Sequence, residues 1–148
     1  MSGPITSTRR THTFLTVAVA LQTLTLFLQA TTAGLLLSTS YGETLHGVGA
    51  RVMYGASMLY VLAAILAWRP GGGSPRPILY ASGFLVLASV QVVIGIARVA
   101  ALHVPLGVLM FGLSVLALGQ TIYAARRTAA PQASATRVLR DGGHLSSR

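Results

Sequence analysis

The sequence predicts an all-α fold: a polytopic membrane protein whose four transmembrane helices form a bundle made of two repeated helical hairpins. Three observations predict it. Apolar residues make up 53% of the chain and charged ones only 9%, a balance that suits lipid rather than water. Four apolar runs, each near the ~20 residues a helix needs to cross a hydrocarbon core, are divided by short polar stretches. The stretch LHGVGARVMYGASML, Leu45 to Leu59, returns as LHVPLGVLMFGLSVL, Leu102 to Leu116, with Leu45/Leu102, His46/His103, Met53/Met110, Gly55/Gly112, Ser57/Ser114 and Leu59/Leu116 coinciding.

Residues 1–13 are polar and read as a cytoplasmic arm carrying Arg9 and Arg10. The first helix is expected over 14–37. This run exceeds the ~7–15 apolar residues of a secretory signal, and no small-residue cleavage site ends it. A polar turn, 38–44, leads to a second helix over 45–68, closed by the aromatic-plus-basic pair Trp68-Arg69. Three glycines and three prolines between Arg69 and Pro77 exclude a helix there. The third helix is expected over 78–97 and the fourth, after a tight turn, over 102–125. Residues 128–148 have no apolar period and read as a disordered basic cytoplasmic tail.

The net charge of +9 would suggest nucleic acid in a soluble domain. Here Arg9, Arg10, Arg69, Arg76, Arg126 and Arg127 flank the apolar runs on one side, so they read as topology signals and no nucleic acid is expected. The positive-inside rule then puts both termini in the cytoplasm and both histidine-bearing helix starts at the outer face of the plasma membrane. With no cysteine, a disulfide, a thiolate ligand and covalent haem attachment are all excluded.

A histidine inside a membrane helix is costly, and two at matched positions point to one ligand held from two sides. On the face of His46 lie Gly49, Ala50, Met53 and Ser57; on that of His103 lie Leu106, Gly107, Met110 and Ser114. Small residues with a central methionine give a flat macrocycle room and polarizable walls. Two facing imidazoles would complete a six-coordinate haem b iron, making His46 and His103 the metal ligands. Close helix packing is the competing account of the same stripes. Spacing argues against a bare copper site, since seven helical residues put Met53 roughly 10 Å below His46. Glu43 is expected to accept a hydrogen bond from His46, or to cap its helix. Arg98 and Arg51 are the candidates for the haem propionates, although Arg51 points ~140° from His46 and would have to snorkel upwards. Gln29 and Gln91, each followed by a glycine (Gly34, Gly95), recur in the first and third helices, where interhelical hydrogen bonding is their default role.

Glu43-x-x-His46, Val90-Gln91-Val-Val-Ile-Gly95 and Ala101-Leu102-His103 together resemble one four-helix half of the heme A synthase family. The resemblance covers about Gln29 to Gly119. It implies a porphyrin between His46 and His103 as axial ligands near the outer face, with Glu43 at the position of the family's functional glutamate. Gly47 follows the first histidine where the family often has arginine. The enzyme's second half, with its own histidine pair, has no counterpart here. A homodimer would rebuild eight helices.

The expected function is thus haem binding for electron transfer or haem handling, in the bilayer, as a homodimer or beside a membrane redox partner. The alternatives are a non-catalytic membrane subunit that docks a partner through small-residue helix faces, and a synthase-like enzyme acting as a dimer.

Overall fold

In a computed structural model the backbone is described for residues 4–145 and the side-chain surroundings for residues 10–127. Four helices follow one another: α1 (Pro4–Ser38), α2 (Gly42–Trp68), α3 (Arg76–Ile96) and α4 (Ala100–Leu145). No strand occurs among the described residues. Each helix contains a segment long and apolar enough to cross a membrane: Arg10–Ser38, Gly42–Trp68, Arg76–Ile96 and Ala100–Arg127.

The packing is inside-small and outside-large. Ala18, Ala63, Ala64, Ala67, Ala81 and Ala88 are buried, whereas Leu37, Leu79, Val93, Ile96 and Val108 are among many large apolar side chains left exposed. Small residues let helix backbones approach closely in lipid, where a large apolar side chain gains nothing by turning inward. The helices form a square. Neighbours along the chain pack together and α4 closes against α1, while across the diagonals no Cα of α2 comes within 8 Å of α4, nor α1 of α3, among the described residues. Centrally, Met53 and Met110 join Leu26, Tyr60 and Phe84 in one core.

At one end Arg69 lies over the Trp68 ring, 5.1 Å from its centroid, and Arg127 over Tyr123 at 4.6 Å. Cation–π contacts of this kind suit the boundary between an apolar slab and water. The α1–α2 and α3–α4 turns lie at the other end.

Several boundaries differ from the sequence reading. α1 starts at Pro4 rather than near residue 14, because proline suits a first helical turn and no breaker follows it. The first turn is shorter than 38–44, since α2 opens at Gly42. α4 does not stop near residue 125: its backbone stays helical to Leu145, through most of the stretch expected to be disordered. Ala129, Ala130, Ala133 and Ala135 supply that extension with strong intrinsic helix formers, a preference that needs no buried face. Whether the tail meets lipid falls outside the described side chains.

Candidate functional site

The buried stripe of α1 recurs at helical spacing: Leu15, Ala18, Val19, Gln22, Thr25 and Leu26. One further turn brings Gln29 to the same face. Opposite it α2 has a notch, for a Cβ on Gly49 would collide with Gln29 Oε1. In the second hairpin the notch is Gly107, where a Cβ would lie 2.9 Å from Gln91 Nε2. The two glutamines therefore enter the interior because glycine faces each of them. Gln29 Nε2 donates to the His46 carbonyl at 3.0 Å, the interhelical hydrogen bond expected of it.

His46 and His103 come from diagonal helices and meet in the space between them, both half-buried. Their ring centroids are 6.1 Å apart with the planes at 67°. The methionines and serines beneath them (Met53, Ser57, Met110 and Ser114) are buried, so both stripes face inward. Ser57 Oγ donates to the Met53 carbonyl at 3.0 Å, and Ser114 Oγ meets Thr23 Oγ1 at 2.6 Å.

Each imidazole has its Nδ1 engaged. His103 Nδ1 lies 3.1 Å from the Gln91 carbonyl oxygen and must donate to it. Thr32 Oγ1 donates to the Gln29 carbonyl at 3.0 Å and lies 3.2 Å from His46 Nδ1, while the Gln29 amide nitrogen lies 3.3 Å from both ring nitrogens of His46. His103 Nε2 consequently keeps the lone pair that a metal would use, and the lone pair of His46 faces the Gln29 amide.

The ring separation fits a shared iron. With metal–nitrogen bonds of about 2.0 Å and a ring nitrogen about 1.1 Å from its centroid, two axial imidazoles have centroids roughly 6 Å apart. Among the described residues no three of His, Cys, Asp and Glu gather to hold a bare ion. Two imidazoles alone suit a metal that brings its own equatorial donors, as a porphyrin does.

Of its two expected roles Glu43 takes the second. Glu43 lies in the first turn of α2, exposed, where it complements the helix dipole. It makes no hydrogen bond to His46, whose partners are Thr32 and Gln29 instead. Arg51 and Arg98 are exposed at the histidine end, and neither pairs with Glu43 among the described residues. Arg98 adopts φ 57° in the α3–α4 turn, a left-handed conformation that costs a non-glycine residue about 1–2 kcal/mol.

Two residues that bear on the site were not singled out from the sequence. Thr32 sits three positions after Gln29 and so shares its face. Gln22 sits seven before it, is 1% exposed, and has both amide atoms buried without a hydrogen-bond partner. Periodicity measured from Gln29 would have found both. Comparison with protein-family models, with curated proteins and with solved structures finds no match.

Proposed function

We propose that this chain is a multi-pass plasma-membrane protein, both termini cytoplasmic, that holds one haem b between His46 and His103 near the outer face. It serves electron transfer or haem handling. The observation that carries the reading is the meeting of two inward-facing imidazoles from diagonal helices, 6.1 Å apart, with no hydrogen-bond partner on His103 Nε2 among the described residues. When bound, such a haem supplies a one-electron couple at an iron held low-spin by two imidazoles.

The chain's own residues do the rest. His103 and His46 would hold the iron. Gly49, Gly107 and Gly95 keep side chains out of the space beside them, and Met53 and Met110 form an apolar floor. Arg98 and Arg51 present guanidinium groups at the end where propionates would emerge. The same constellation is what the resemblance to the heme A synthase family implies, and a dimer would be needed to reproduce that enzyme's eight helices.

The test is optical. Purified in detergent after expression with haem supplied, the protein should show a Soret band and a reducible low-spin spectrum. Either His46→Ala or His103→Ala should abolish the low-spin form. A colourless, folded preparation would overturn the reading. It would favour a subunit that docks a membrane partner through Gly55 and Gly112, repeat-equivalent glycines that face outward with nothing within 4 Å of a Cβ.

A further inference from the structure

The two imidazoles are held by different kinds of group. His103 Nδ1–H donates to a backbone carbonyl, which fixes the tautomer and raises the basicity of the opposite nitrogen. Its ring is also confined, since a Cβ on Gly95 would lie 3.1 Å from His103 Cε1. Among the described residues nothing hydrogen-bonds His103 Nε2.

His46 is bracketed by side chains instead. Its Nδ1 lies 3.2 Å from Thr32 Oγ1, and the Gln29 amide nitrogen is 3.3 Å from each of its ring nitrogens, so the amide reaches Nε2 whenever Nδ1 carries the proton. One hydrogen of that amide goes to the His46 carbonyl, and the second is free to cap Nε2. A buried imidazole nitrogen that leaves a metal ordinarily pays for lost solvation. His46 has a replacement partner in place.

Resting on the haem reading above, we infer that His46 is the exchangeable axial ligand, with Gln29 capping its released nitrogen, and that its side of the haem is a binding site for a small neutral diatomic molecule such as carbon monoxide. His103 is the permanent ligand. Hydrogen-bond donors and steric access beside an axial position are what separate ligand-binding haem sites from purely electron-transferring ones. The Thr32–Gln29–His46 cluster supplies the donors, and the half-buried position of His46 leaves that side open to a small molecule.

The experiment uses the full chain in detergent, reduced with dithionite and mixed with carbon monoxide. The wild type should bind it at a rate that levels off at high gas concentration, limited by departure of His46. His46→Ala should keep its haem and bind faster, in proportion to gas concentration, while His103→Ala should lose the pigment. Gln29→Leu should slow binding without altering the low-spin spectrum. The double variant Gln29→Leu/His46→Ala should behave as His46→Ala alone, because nothing remains to cap, an outcome that a merely structural role for Gln29 would not give. Haem that ignores carbon monoxide, retention of haem by His103→Ala but not His46→Ala, pigment lost from both, or an unchanged rate in Gln29→Leu would each overturn the inference. An inert low-spin haem would leave the haem reading standing, whereas a wild type without a Soret band would remove both.

Discussion

In the α1–α2 hairpin 17 positions separate Gln29 from His46, while in the α3–α4 hairpin 12 separate Gln91 from His103. Those extra positions in the first hairpin amount to more than a helical turn. α1 runs on past Gln29 to Ser38, so Thr32 arrives beside the His46 ring. α3 ends at Ile96, and a short turn with Arg98 at φ 57° reverses the chain so early that the His103 ring reaches the carbonyl of Gln91 itself. The packing differs in the same sense. α1 and α2 are in contact along much of their length, whereas α4 turns most of its surface outward. Repeated residues therefore do not guarantee repeated contacts, because turn length sets which atoms of neighbouring helices meet.

Six substitutions would break or sharpen this comparison. The largest effect is expected at Gly42, where a Cβ would run into the Leu35 carbonyl and Leu36 Cα, both backbone and unable to yield. Gly42→Ala should cost about 3 kcal/mol in thermal unfolding in detergent. The matching Val99 of the second hairpin is exposed, and Val99→Ala should be nearly neutral.

Next come the two notches. Gly49→Ala displaces Gln29 and with it the contacts to His46, so about 2 kcal/mol should be lost and carbon monoxide should bind any haem more slowly. Gly107→Ala pushes only the end of the Gln91 side chain and leaves the carbonyl that holds His103. It should cost about 1 kcal/mol or less, with the spectrum intact.

Gln22→Leu should stabilise, by about 1–2 kcal/mol, because an amide with no partner is replaced by an apolar group of similar size. The third helix already carries buried Phe84 at the place that the Gln29/Gln91 register assigns to Gln22. A fall in melting temperature would show that the amide has a role which the packed bundle conceals.

The smallest effect is expected of Thr32→Val, which removes the acceptor from His46 Nδ1 and should cost about 0.5–1 kcal/mol. In the same register the second hairpin has Ile94, without a hydroxyl. If Thr32→Val also shifts the midpoint potential of a bound haem, the distinction between a side-chain and a backbone anchor is functional. An unchanged potential would reduce it to packing.

Most of the fold was legible in the sequence because it follows from local rules. Run length marked the four helices, and a 3.6-residue period put Met53, Ser57, Met110 and Ser114 inside together with both histidines. The candidate site was legible in outline for the same reason. Of the two roles that the sequence offered Glu43, its place in the first turn of α2 agrees with capping, while the neighbouring helix brings Thr32 rather than Glu43 to His46. The helical stretch beyond residue 127 was missed because the absence of an apolar face was taken to mean the absence of a helix.

What the chain determined by itself is therefore the part written within each helix: its span, its inward face, and the matched depth of two imidazoles. Only tertiary structure decided which atom holds each ring, which glycine receives each glutamine, and which amide is left without a partner. Hydrophobic period is a property of one helix, whereas a hydrogen bond between helices depends on their relative register. A few residues more or less in a turn shift that register by a whole turn.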